Sequence, residues 1–472
     1  MKSKKLSIYS SVFFIIILFI GPLLLMYSIL YLNYENSNDQ EELQLCSDGD
    51  GGAIITWIDW RDEDLKLSDI YAQRVDSNGK VKWNINGIPI CTAKNYQEEP
   101  RICSDGLGGA IITWSDKRSG DYKLYAQRIN PAGQVLWKKD GVIICTEEYY
   151  YPRHTKICDA GMGEFLIVWD DNRDFQGSNW NVYGQRIDLN SYLKWSEKGL
   201  PIFNSSSEEV HPQVCNDGLG NTIITCEDNY DISARKIDSD GKNLWGANKT
   251  IVSWYGPYVD ISICPDGNGG VITTWNTQGT IYAQKINSTG VIQWTPNGKR
   301  ASSVSLANWV PNICSDGSGG AIITWQERGE SSNTDWDVYA QWITSEGNLQ
   351  WSDRGKEICN TIGGLGPPQI AKTLYDGVII AWSENRNGES TDIYIQKINP
   401  DKTLTWPNGR SICNEMNTQI NCLLIDDGTG GVIISWEDMR NGKDWDIYAQ
   451  KITSSGTIAW TSNGVPISTL SS

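Results

Sequence analysis

The residues best suited to chemistry recur as one spacing. An acid and an arginine stand two apart after a tryptophan at Trp57-Asp59-Arg61, Trp114-Asp116-Arg118, Trp169-Asp171-Arg173, Trp382-Glu384-Arg386 and Trp436-Asp438-Arg440. Such a pair can receive an anion or close a bidentate ion pair. Repetition of the same pair favours the second role, a structural clasp at a chain corner. The acidic cluster Asp62-Glu63-Asp64 with Asp69 leaves a structural calcium open, but calcium needs many converging oxygens and no EF-hand loop is present. No other cofactor is expected. No two carboxylates are singled out by spacing for glycoside chemistry. There is no G-x-S-x-G elbow, P-loop or zinc signature. His154 and His211 are the only histidines, so histidine-based metal or acid–base chemistry is not expected, and no catalytic residue is assigned.

The elements that must position these pairs are repeats. GGAIITW occurs at Gly51–Trp57, Gly108–Trp114 and Gly319–Trp325. Aligning the chain with itself gives eight units of about 54 residues, the size of one four-stranded propeller blade. Their bounds are about 44–99, 100–151, 152–211, 212–256, 257–310, 311–366, 367–420 and 421–472. A first tryptophan column runs Trp57, Trp114, Trp169, Cys226, Trp275, Trp325, Trp382 and Trp436. A second runs Trp83, Trp137, Trp195, Trp245, Trp294, Trp351, Trp406 and Trp460. In the second unit RICSD reads as strand a, GAIITWSD as b and KLYAQRI as c. QVLW, continuing into GVIIC, reads as d. Aromatic and β-branched residues punctuated by glycine set this all-β reading. One blade cannot bury both faces, so the tryptophan columns read as filler between stacked blades. The expected fold is a single eight-bladed propeller over 44–472, with blades one and eight packed side by side.

The twelve cysteines fit the same pattern. Cys46, Cys103, Cys158, Cys215, Cys264 and Cys314 fill one strand-a position, with Leu374 and Ile425 in the remaining units. Cys91, Cys145, Cys359 and Cys413 fill a position after strand d, replaced elsewhere by Phe203 and Ser468. A position that accepts cysteine, leucine or isoleucine is a buried hydrophobe, so mainly free thiols are expected. Cys422 is off-column and could reach Cys413. Net charge is −17 and the isoelectric point about 4.7, which excludes a basic nucleic-acid surface.

The segment before the repeats differs in kind. Leu6 to Leu32 is apolar and longer than the roughly 20 residues that span a bilayer. Lys2, Lys4 and Lys5 precede it and acids follow, which places the N-terminus (1–5) inside and the rest outside the cytoplasm. A single-pass membrane anchor over 6–32 is expected, then a lead-in over 33–43. The rival is a signal peptide and a secreted product.

The units resemble a family of secreted or surface-anchored prokaryotic β-propeller repeat proteins. The resemblance lies in DG-x-GG-x-I-x-x-W-x-D-x-R, then DIYAQR, then G-x-x-x-W and G-x-x-x-C. It implies a fold and a location, without a reaction. The sialidase S-x-D-x-G-x-T-W box is absent. Trp336-Asp337 and Trp445-Asp446 precede strand c rather than closing a blade as in WD40 repeats.

In such a disc the a–b and c–d turns share one face, and here they are uniform. The b–c and d–a loops share the other and vary, from IDWRDEDLKLSD to the stunted EDNYD and NTQGT, which leave a notch over blades four and five. Function concentrates on varied loops held by a rigid frame. Trp254, Tyr255 and Trp309 beside the notch are the first ligand-binding candidates. Tyr96, Tyr149, Tyr150, Tyr151, Trp180, Trp336 and Trp445 complete the aromatic set. These residues suit a glycan or a surface-protein partner. The expected function is non-enzymatic binding or adhesion by a monomeric ring. The alternatives are an extracytoplasmic lyase or hydrolase of carbohydrate, and a structural surface component.

Overall fold

The computed structural model describes residues 38–470, apart from 63–66, 148–150, 174–178, 254–259, 303–307, 329–335, 362–364, 374–376, 387 and 389. The apolar segment expected as an anchor lies outside the described residues. So do Trp254, Tyr255, Tyr149 and Tyr150.

Eight antiparallel four-stranded sheets follow one another along the chain, each in the order a-b-c-d. In blade 1 these strands are Gln40–Ser47, Ala53–Asp62, Leu67–Val75 and Ile88–Cys91. Strand a starts ahead of the boundary expected at 44. The inner strands of the other blades are Gln97–Ser104, Arg153–Asp159, Glu209–Asn216, Ile261–Pro265, Asn308–Ser315, Gln369–Lys372 and Gln419–Asp426. Each packs on the inner strand of the next blade, and the last packs on the first, so the ring is closed.

Strand b is the apolar spine because both its faces are covered. Ala110–Asp116 is buried along its whole length. The first-column indoles Trp57, Trp114, Trp169, Trp275, Trp325, Trp382 and Trp436 are among the largest fully buried side chains. Each such burial contributes about 1.5–3 kcal/mol. Glycine is required opposite them: Gly141 has φ +88, and a Cβ there would meet the Trp114 ring at 2.6 Å.

One strand differs from expectation. The segment QVLW is not strand d. It makes only an isolated bridge, Ile129↔Val135, and the paired outer strand is Val142–Ile143. The reason lies in the glutamine of Y-A-Q-R. Gln127 Nε2 donates to the Lys138 carbonyl at 2.8 Å, and its Oε1 accepts the Trp137 N–H at 2.9 Å. This side chain replaces ladder bonds and turns Trp137 outward. Its indole N–H then donates to the Leu189 carbonyl of the next blade at 3.0 Å. Trp83, Trp195, Trp245 and Trp294 make the same bond to Pro131, Ser239, Ser288 and Ser345.

Blade 8 meets blade 1 through the same contacts. Trp460 donates to the Ser77 carbonyl at 3.0 Å, and Lys451 Nζ to the Gly51 carbonyl at 2.7 Å. Elsewhere Lys236 reaches Gly269 and Lys285 reaches Gly319 in like fashion. Closure is side by side, with no strand exchanged.

The repeated acid–arginine pair is a buried clasp. Asp116 accepts the Trp114 indole N–H at 2.8 Å and is bridged by Arg118 at 2.5 Å. The guanidinium lies over the Tyr125 ring, 4.0 Å from its centroid, and reaches the Asp140 carbonyl at 2.7 Å. The carboxylate is fully buried and satisfied, so no anion site remains there. All twelve cysteines are free, including Cys413 and Cys422. In blade 7 the strand-a cysteine position is Ala371, paired with Ile379. The expected Leu374 lies outside the described residues. Thr373 stands where other units carry the turn aspartate, its N–H donating to the Gly377 carbonyl at 2.9 Å, so the Asp-Gly pair did not mark the register in that unit.

Candidate functional site: the central opening and its aromatic rim

The faces differ as their loops do. On the uniform face the turn aspartates of six blades close the same hydrogen-bonded unit. Asp105 accepts the N–H groups of Leu107 and Gly109 at 2.8 Å each, and its second oxygen takes Arg128.

On the other face strand a enters the ring through a β-bulge, a register shift such as that between Glu41 and Gln44. The bulge residue takes a positive φ, at Glu42, Glu99, His154, His211, Val310 and Asn421. Extra residues of this kind re-aim side chains. Here they form an upper tier around the opening. Below it, at one register, stand Gln44, Arg101, Lys156, Gln213, Ser262, Asn312, Gln369 and Leu423. The strand-a cysteines form a third tier, and burial raises the pKa of each of these thiols. A cavity of about 410 Å³ is walled by the upper two tiers in blades 7, 8, 1 and 2, with Glu42, Glu99, Arg101, Gln369, Asn421 and Glu437 among its residues.

Glu437 follows a first-column tryptophan, at the x of W-x-D. That position points inward in other repeats too: Asp170 and Glu227 meet inner-strand histidines and Ser383 lines the cavity. Glu437 Oε1 accepts the Glu42 N–H at 2.9 Å and Oε2 accepts the Asn421 amide at 2.7 Å. Burial outweighs these bonds and pushes its carboxyl up to about 7. Burial also raises Glu42.

Across the opening the two histidines meet. Their rings lie 4.1 Å apart at 55°. His154 Nδ1 is 2.8 Å from Asp170, which Arg153 also bridges at 3.1 Å. His211 Nδ1 is 3.1 Å from Glu227, and that hydrogen bond raises its pKa. The sequence reading set both histidines aside; the ring brings them together from separate units. Among the described residues, no group of three or more His, Cys, Asp or Glu could hold a metal.

The aromatic candidates divide. Tyr151 and Trp180 are brought together above blades 2 and 3. Tyr151 is 45% exposed and held edge-on by Tyr122 at 5.3 Å and Trp180 at 6.5 Å. Arg153 covers one face of Trp180, 3.1 Å from its centroid. Tyr96 continues the belt toward Trp60, at 6.3 Å, while Lys117 lies between it and Tyr122. Tyr122, which the sequence did not single out, donates to Glu98 at 2.7 Å. Trp309 is 46% exposed at the start of strand a in blade 6, outside this belt. Trp336 is half-buried, pairing with Arg328. Trp445 serves closure: its N–H donates to Asp39 and its carbonyl accepts the Gln40 N–H. The stunted loops of blades 4 and 5 are two-residue turns, Asn229-Tyr230 and Gln278-Gly279, all at positive φ.

No family model matches the chain, and no curated relative matches it. Solved structures resemble it distantly. A protein from Lactobacillus plantarum has 12% identity and a TM-score of 0.40, covering 72% of this chain and 93% of its own. The GH93 alpha-L-arabinofuranosidase of Fusarium graminearum has 11% identity and a TM-score of 0.39, covering 66% and 95%. Prolyl oligopeptidase B from Galerina marginata has 12% identity and a TM-score of 0.47, covering 89% of this chain and 56% of its own. Likeness at this level transfers no ligand or reaction.

Proposed function

We propose that this chain is a glycan-binding propeller, displayed outside the cytoplasm by its apolar segment 6–32. The carrying observation is the presentation of Tyr151. Its ring is 45% exposed, packs at steep angles against Tyr122 and Trp180, and lies within reach of the charges of Glu98 and Arg153. A sugar needs that combination: an aromatic face for its C–H side and charged hydrogen-bonding groups for its hydroxyls. The ligand lies across blades 2 and 3 with one end toward the central cavity. This places the site away from the notch of blades 4 and 5.

The test uses the full chain in nonionic detergent on a panel of immobilised polysaccharides. Retention on one of them, lost in Tyr151→Ala, is expected. Equal retention of the variant, or retention on none, overturns the reading and moves weight to a protein partner or a structural role.

A second reading is favoured by one residue. Glu437 holds a proton near neutral pH inside the same cavity, as a general acid for glycoside cleavage must. Shortening of a retained polymer, abolished in Glu437→Gln, is the outcome that selects hydrolysis over simple binding.

A further inference from the structure

The middle tier of the opening contains two cations and no carboxylate. Arg101 donates from Nε to the Thr155 carbonyl at 3.1 Å and from Nη1 to its own neighbour Pro100 at 2.8 Å. Lys156 is next to Thr155, one blade further round. Among the described residues neither cation makes an ion pair or a hydrogen bond to a carboxylate. The contrast with the rest of the chain is sharp. Arg74, Arg128, Lys236, Lys285 and Lys451, at a common position in strand c, each bridge the aspartate of an Asp-Gly turn. Both cations are half-buried, and charges withdrawn this far from water are normally paired. Here burial and the adjacent Arg101 push Lys156 down to about 8, so the two cations oppose each other in a protein of net charge −17.

An anion resolves that opposition, and the surroundings specify its kind. Glu42 and Glu99 rim the tier from above, close enough to act on Arg101 and Lys156 through space but not in contact with them. A compact dianion such as phosphate would meet both cations and both carboxylates at once. A monoanion flanked by hydroxyls suits the site better: the cations take its charge, and the carboxylates and the amides Gln44 and Gln369 take its hydroxyls.

We infer that Arg101 and Lys156 form a subsite for the carboxylate of an acidic sugar, a uronate, at the inner end of the glycan-binding face. The inference rests on the glycan reading, but its site is the central tier rather than the aromatic belt, so the two fail separately.

The experiment is thermal unfolding of the full chain in nonionic detergent with sodium glucuronate, glucose or sodium phosphate, at matched sodium concentration. Glucuronate is expected to raise the Tm through its preference for the folded state, while glucose and phosphate do not. Arg101→Gln and Lys156→Gln each should weaken glucuronate about tenfold or more, the loss typical of a charged hydrogen bond. Two variants guard against a folding defect in either. No stabilisation by glucuronate overturns the inference, as does equal stabilisation by phosphate, or an undiminished effect in both variants. Loss of polysaccharide retention in Tyr151→Ala does not bear on this result.

Discussion

The two faces of this disc are made by one repeat yet differ in what their side chains are for. On the a–b and c–d side, turn aspartates and second-column indoles find partners within their own turn or on the next blade. The Asp105 turn and the Trp137 latch are examples, and both leave the surface chemically quiet. On the b–c and d–a side the same strands end in bulges. There carboxylates, imidazoles and cations face a common opening, and many of them pair across it with one another. Repetition stabilises the first face, and departure from repetition furnishes the second.

The largest effect that could break this comparison lies in the skeleton. Asp116 is buried between an indole N–H and a guanidinium. Asp116→Ala leaves Arg118 and Trp114 without that partner and should cost about 3–5 kcal/mol, read by chemical denaturation. A loss below about 1 kcal/mol would mean the clasps do not carry the frame.

Next comes Glu437, where the functional side works against stability. Burial raises its pKa from the ordinary 4.5 to about 7. The folded state therefore holds this proton more tightly than the unfolded chain. Its contribution is fully present below about pH 4.5 and is lost as pH rises through 7. Glu437→Gln should be close to neutral at pH 4 and more stable than wild type at pH 8 by about 3 kcal/mol. Denaturation midpoints at the two pH values check the sign.

A smaller effect separates binding from folding. Tyr151→Ala should weaken glycan binding roughly tenfold, about 1–2 kcal/mol, and leave the Tm near wild type because the ring is half exposed. A Tm loss as large as that of Asp116→Ala would make Tyr151 part of the frame. The smallest effect is at the tips of the quiet face. Leu107 is 62% exposed and Leu219 71%. Leu107→Ser and Leu219→Ser should change stability by less than about 0.5 kcal/mol and leave retention unchanged. A binding defect there would assign function to the wrong face.

The ring and its blades were legible because they rest on period. Strand alternation, turn glycines and both tryptophan columns recur at fixed spacing, and Trp57, Trp114 and Trp137 lie where that spacing puts them. The strand-d error at QVLW has a local cause: a glutamine side chain stands in for ladder bonds, and composition does not reveal that. The central opening was the least legible part. Glu42 and Glu437 touch across a separation of 395 residues, and His154 meets His211 from the next unit. One signal was available. The x of W-x-D is Ile58, Ser115, Asp170, Glu227, Asn276, Gln326, Ser383 and Glu437. A position that varies this widely inside a recurring motif is not set by packing alone, even though Ile58 is buried in the core. Lining the repeats up by that residue, rather than by their tryptophans, would have drawn the rim of the opening.

The side-by-side seam has a consequence for how the chain could be rewired. Trp460 and Lys451 join blade 8 to blade 1 with the bonds used at several other seams, so the closing junction is built like those within the chain. Joining Ser468 to Gln40 by a loop like the one from Cys91 to Gln97, and opening the chain between any other two blades, should yield a circular permutant with the same ring. Where translation begins would then be a choice of order, not of shape.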